Sequence, residues 1–193
     1  MNTEKSILDR AIALAVAAHS GMRRKRVSLP YILHPMEVTV IASTLTTDEE
    51  VLAATMLHDT VEDAGITSTQ IASVCGERVA RLVMSETEEA HPEMSRCDSW
   101  KVRKEESLNL LRHAEDPGTK IMWLSDKLAT MRSYLRMWEA QGDAMWESFH
   151  QPSPTEQAWY YRSIAYILSD MCDTSAWKEF RQLVDRVFGG IEY

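Results

Sequence analysis

Residues 47–63 read TDEEVLAATMLHDTVED. Thr47 with Glu50 three residues on has the form of a capping box, which opens a helix. Val51, Leu52, Ala53, Ala54, Met56 and Leu57 follow, interrupted only by Thr55, and the run stops at His58 and Asp59. Two ionisable side chains at the end of an apolar helix cost desolvation unless something pairs with them. Taken alone, the dipeptide also fits a capped helix terminus facing solvent. Glu62 and Asp63 lie three and four residues beyond Asp59, so one more helical turn gathers four acid or imidazole groups around a point. The acids among them repel one another unless a cation intervenes.

The rest of the chain is punctuated by only seven Gly and six Pro, and its apolar periodicity is helical. The expected fold class is all-α, a helical bundle. Ile7, Ala11, Leu14 and Ala18 give a first helix that ends near His19-Ser20-Gly21. Residues 22–33 are a loop, and Pro35 suits the start of a second helix over about 34–45. Thr67 and Gln70 form another capping box, whose helix closes at Gly76. Residues 85–98 are polar and aperiodic, a flexible loop, before a helix over 99–115. Asp116-Pro117-Gly118 reads as a turn, followed by a long helix with Ile121, Leu124, Leu128, Met131, Leu135 and Trp138 on one stripe. Ser153-Pro154-Thr155-Glu156 starts a helix to about Asp170, and a last one, 175–188, ends at Gly189-Gly190.

With 193 residues the chain is expected to form a single domain, 1–193. Its 29 acidic and 21 basic residues leave a net charge of −8, which argues against sequence-independent binding to nucleic acid. No run approaches 18 apolar residues and the start lacks the order of a secretory signal, so a cytoplasmic protein without a membrane partner is expected. Cys75, Cys97 and Cys172 are widely spaced and read as reduced thiols. Charge is uneven. Arg10, Arg23, Arg24, Lys25 and Arg26 crowd a segment free of acids, whereas Val27 to Glu77 holds no Lys or Arg. Such runs usually form solvated faces.

Two further residues extend the cluster. Asp126, on the long helix, shares a flank with Met122, Ala129 and Ser133, where a carboxylate calls for a ligand or a basic partner from another helix. His34 stands just before Pro35 at a helix start, a place for a ligand or a structural histidine.

In this order, His19-Ser20-Gly21, Arg24-Lys25, Pro30-Tyr31-Ile32-Leu33-His34-Pro35, Leu57-His58-Asp59-Thr60-Val61-Glu62-Asp63 and Leu124-Ser125-Asp126-Lys127-Leu128 with Met131-Arg132 resemble the HD-domain metal-dependent phosphohydrolases. Within that family they are similar to the hydrolase domain of the RelA/SpoT alarmone enzymes and their small stand-alone relatives, over about residues 5–170. The resemblance implies that His34, His58, Asp59 and Asp126 are metal ligands. It gives Glu62 and Asp63 the role of positioning and activating the attacking water. Mixed imidazole and carboxylate ligands suit Mn²⁺ or a similar divalent ion. The implied reaction removes the 3′-pyrophosphate from ppGpp or pppGpp, leaving GDP or GTP. Arg24 and Lys25 align with the family's nucleotide-contacting pair, and Thr130 and Ser133 join them as substrate-binding candidates. Lys101, Arg103 and Lys104 flank the polar loop as candidate pyrophosphate contacts or solvated charges.

The pattern departs from the family at Thr130, where Asn is usual near the ribose, at Ala129, where His or Tyr is usual, and at Leu29 before Pro30. These departures keep other readings open. The same site could act on NADPH or an adenine alarmone, or the chain could be a catalytically silent nucleotide sensor. Retention of Glu62 and Asp63 argues against the sensor. A plain helical scaffold would require all six acid and imidazole positions to coincide by chance.

Overall fold

A computed structural model describes residues 5–24 and 28–191, and the chain divides into two compact units. The first comprises residues 1–87 and 114–126, the second residues 88–113 and 127–193. Among the described residues the regular structure is helical, with one isolated bridge between Arg23 and Pro30 and no strand. The fold class is all-α, as expected.

The first unit is built around α3 (Glu49–Leu57), in which every residue from Val51 to Leu57 is buried. Asp48 caps its start, Oδ1 accepting from the Glu50 amide at 3.0 Å, so the cap falls one residue later than the Thr47 box suggests. Helices α1 (Ile7–Ala18), α2 (Leu33–Ala42) and α6 (Glu77–Glu86) pack against α3. Ala11 and Ala15 on α1 allow close approach to the small Ala53 and Ala54 within the same core. Between α3 and α6 come the five-residue α4 (Thr60–Ala64) and α5 (Ser68–Cys75), the latter opened by the expected Thr67–Gln70 capping box. Gly65 ends α4 in the left-handed conformation, φ 68°, and its amide donates back to Thr60 and Val61 carbonyls.

Helix α6 has no counterpart in the sequence reading. It buries Val79, Ala80, Leu82 and Val83, but starts at Gly76, which supplies no side-chain cap. Arg78 on α6 donates to both oxygens of Asp116, at 2.9 and 3.2 Å, and to Asp48 and Glu50 at 2.7 and 3.0 Å. One guanidinium thereby ties together the starts of three helices.

Helix α8 (Pro117–Gln141) begins at Asp116-Pro117-Gly118, where a turn is expected. Asp116 accepts the Gly118 amide at 2.9 Å and Pro117 occupies the first helical position, so the tripeptide starts the helix rather than preceding it. Residues 122–126 are buried all round, a wider face than the expected stripe.

In the second unit, α7 (Trp100–Arg112) and α10 (Ser175–Phe188) pack on α9 (Pro154–Ile167). Trp100 meets Trp159 and Tyr160 edge-on, while Tyr134, Trp146, Phe149, Tyr161 and Phe188 form one aromatic cluster. The polar segment after α6 is irregular as expected, and it is tethered. Glu88 pairs with both Arg103 and Lys104, and His91 contacts Glu106 at 2.9 Å. All three cysteines are free, and none of the helices searched is long and apolar enough to cross a membrane.

Gly118 lets the start of α8 lie close against α3 and α6. A Cβ there would lie 2.7 Å from Val51 Cγ2 and 3.3 Å from Leu82 Cδ2. Gly118→Ala therefore destabilises the chain by about 1–3 kcal/mol of overpacking, outweighing the roughly 1 kcal/mol gained in helix propensity. Urea unfolding checks this, and an unchanged or higher midpoint contradicts the close packing.

Candidate metal centre

Helices α2, α3, α4 and α8 bring the predicted ligands together within the first unit. His34 and Pro35 lie in the first turn of α2, where proline displaces no helical hydrogen bond, and both are buried. His58 follows the last residue of α3, and Asp59 stands at the start of α4. Asp126 lies on α8, 6% exposed.

Their polar atoms form an alternating ring. His34 Nε2 is 2.9 Å from Asp126 Oδ1 and 3.6 Å from Asp59 Oδ2, and His58 Nε2 is 3.1 Å from Asp59 Oδ2 and 3.6 Å from Asp126 Oδ1. A divalent ion with ligand bonds of about 2.1 Å sets neighbouring donor atoms about 3.0 Å apart in an octahedron and about 3.5 Å apart in a tetrahedron. The ring edges match those lengths. His58 Nδ1 stands 2.8 Å from the Thr55 carbonyl, which fixes the other nitrogen toward the ring. That Nε2 is buried and, despite its short distance to Asp59, makes no hydrogen bond of acceptable geometry. Its position suits a shared cation better than a direct bond to the carboxylate.

The electrostatics agree. Burial pulls the His58 imidazole down, but Asp59 and Asp126 outweigh it and carry the group well above its usual value. Burial pushes Asp59 up, and the imidazoles of His58 and His34 nevertheless hold its carboxyl well below the ordinary range. Positive charge is stabilised at this point, which is what a divalent ion would supply.

Glu62 and Asp63 fall in the first turn of α4, exposed, within one turn of Asp59. Two residues to which the sequence reading gave no role adjoin the ring. The Tyr31 hydroxyl donates to Asp59 Oδ2 at 2.7 Å, and burial together with the charge of Asp59 drives the phenol far above its usual pKa, so it remains a donor. His19, 3% exposed, packs its ring 5.0 Å from that of Tyr31. Both residues belong to the motifs that carry the family resemblance, which was the available signal.

Of the substrate-binding candidates, Arg24 is joined through its backbone to Leu29 and Ser28, and Lys25 lies outside the described residues. Thr130 and Ser133 belong to the second unit, both half-buried, with Arg136 donating to Ser133 Oγ at 3.1 Å. Lys101 in that unit pairs with Glu156 at 2.7 Å and lies over the Trp159 ring.

Comparison with known proteins agrees with this geometry. The HD domain family matches residues 11–150, and the chain belongs to that family. Among curated relatives it is 33% identical over 130 residues to a guanosine-3′,5′-bis(diphosphate) 3′-pyrophosphohydrolase from Aquifex aeolicus, covering 65% of this chain and 17% of the relative. It is 30% identical over 135 residues to a GTP pyrophosphokinase from Myxococcus xanthus, covering 69% and 18%. The chain thus spans less than a fifth of the length of the curated relatives it matches. A solved structure from Listeria monocytogenes, lmo0812, superposes with a TM-score of 0.69 at 28% identity, covering 81% of this chain and 99% of that one. A second, described as a metazoan ortholog of SpoT that hydrolyses ppGpp, gives 0.71 at 20% identity with 98% of each chain covered, a likeness of fold.

The purified chain is expected to bind one divalent ion, and His58→Ala to abolish that binding with helicity retained. Elemental analysis and far-UV circular dichroism check both, and stoichiometric metal persisting in the variant contradicts the assignment.

Proposed function

We propose that the chain is a metal-dependent phosphohydrolase that removes the 3′-pyrophosphate of ppGpp or pppGpp, releasing pyrophosphate and GDP or GTP. The ring of His34, His58, Asp59 and Asp126, with two accessible carboxylates within a turn of Asp59, carries this reading. The pyrophosphohydrolase from Aquifex aeolicus, similar over 65% of this chain, supports the choice of substrate. Residues 1–193 act in this reading as a single hydrolase domain in the cytoplasm, on a small-molecule nucleotide, with neither nucleic acid nor membrane as partner.

His34, His58, Asp59 and Asp126 hold the ion, and Mn²⁺ suits their mixture of imidazole and carboxylate. When bound, the ion lowers the pKa of a water and polarises a phosphoryl oxygen. Glu62 and Asp63 orient the water, and one of these carboxylates accepts its proton. The water oxygen joins the pyrophosphate as the bond between phosphorus and the ribose 3′ oxygen breaks, and that oxygen takes up a proton. Arg24 and Lys25 contact the base, where a guanidinium can stack on the purine ring. Thr130 and Ser133 contact the ribose side, Thr130 offering a hydroxyl where the family has an amide.

The test is kcat/KM of the Mn²⁺-loaded chain for ppGpp, its adenine counterpart and NADPH. Efficient turnover of ppGpp is expected, and efficient turnover of another member of the panel with ppGpp ignored overturns the alarmone assignment. Glu62→Gln is expected to keep the metal and lose roughly 10²–10⁴-fold in rate. Loss of metal in parallel makes Glu62 a ligand instead.

A further inference from the structure

Asp59 occupies the N-cap position of α4, where an aspartate side chain ordinarily accepts an amide of its own helix. It makes no such bond. Its backbone is in the right-handed helical region, φ −89° and ψ −4°, rather than the extended conformation of a capping aspartate, so the carboxylate is kept from the α4 amides by the backbone and its orientation is left to other partners. What holds the carboxylate elsewhere is visible. Tyr31, 28 residues earlier in the chain, donates its hydroxyl at 2.7 Å to Oδ2, the same oxygen that faces His34 Nε2 and His58 Nε2.

Tyr31 is itself fixed from several sides. Its amide donates to the Met22 carbonyl at 3.0 Å and its carbonyl accepts the His34 amide at 2.9 Å. One face of its ring lies against His19, with centroids 5.0 Å apart and planes inclined by 32°, and His34 meets it edge-on at 6.2 Å. His19 Nδ1 lies 3.1 Å from the Ala15 carbonyl, which ties its ring to the end of α1. One residue thus touches two members of the ring, His34 through the backbone and Asp59 through the hydroxyl.

We propose that Tyr31 is a positioning residue that fixes the orientation of the Asp59 carboxylate and aims it at the metal point, with His19 backing its ring. This rests on the metal-binding part of the reading above and not on the identity of the nucleotide. Without the hydroxyl, Asp59 loses the donor that holds Oδ2 toward the two imidazoles, and its carboxylate is free to rotate away from them. Tyr31→Phe removes that donor and preserves the ring contacts. Partners that orient metal-binding side chains typically contribute 10–100-fold to metal affinity.

The experiment is a thermodynamic cycle on the full chain, with Mn²⁺ affinity read by electron paramagnetic resonance for wild type, Tyr31→Phe, Asp59→Ala and the double variant. Tyr31→Phe is expected to weaken Mn²⁺ binding by about 10–100-fold in the wild-type background and by less than about twofold in the Asp59→Ala background. Amide spectra of the metal-free proteins add a second readout. The Asp59 and Thr60 amides are expected to shift in Tyr31→Phe as the carboxylate loses its fixed orientation, and Tyr31→Phe is expected to leave the Thr60 amide unchanged in the Asp59→Ala background. Wild-type affinity in Tyr31→Phe, or an equal loss in both backgrounds as a purely structural role gives, overturns the assignment. Absence of Mn²⁺ binding by wild type overturns this proposal and the metal reading together, whereas failure confined to the cycle overturns this proposal alone.

Discussion

Two buried imidazoles and two carboxylates face one another across 2.9–3.6 Å, and the first unit is arranged to make that possible. Burying such groups is unfavourable unless charge and hydrogen bonds are balanced. The apolar side of the balance is α3, which is buried from Val51 to Leu57 and carries His58 at its end. Around it, Ala11 and Ala15 on α1 and Gly118 on α8 keep neighbouring backbones close. Arg78 fixes the starts of α3 and α8 to α6, and so the axial placement of His58 and Asp126.

Polar side chains inside the unit serve the same arrangement. Thr55 donates to the Leu52 carbonyl and approaches Thr39 Oγ1 at 3.3 Å, joining α3 to α2 next to both histidines. Its own carbonyl faces His58 Nδ1. The one polar interruption in the apolar run is therefore part of the support of His58. Asp59, with a helical backbone at the start of α4, makes no cap there, and its carboxylate faces the hydroxyl of Tyr31 and the imidazoles instead.

What could be read from the sequence was what is local in it. An apolar run that ends on His58-Asp59 announces buried ionisable groups, and capping boxes place helix starts within a residue or two. Helix α6 escaped because Gly76 gives no side-chain capping signal, although Val79, Ala80, Leu82 and Val83 keep helical spacing. Asp116-Pro117-Gly118 is turn chemistry in isolation, and the bonds from Arg78 and Gly118 to Asp116 make it a helix start instead. The role of Tyr31 depends on a contact across 28 residues, and the cations at 101, 103 and 104 find Glu156 and Glu88 at separations of 15 to 55 residues. No spacing rule reaches that far.

A single ion shared by the two imidazoles and the carboxylates is what the buried ring implies. X-ray absorption spectroscopy of the Mn²⁺-loaded chain tests it directly, because imidazole rings add outer-shell scattering that carboxylates and water do not. A shell of nitrogen and oxygen at roughly 2.1 Å that includes two imidazoles is expected. A shell of oxygen alone, with no imidazole scattering, would contradict it.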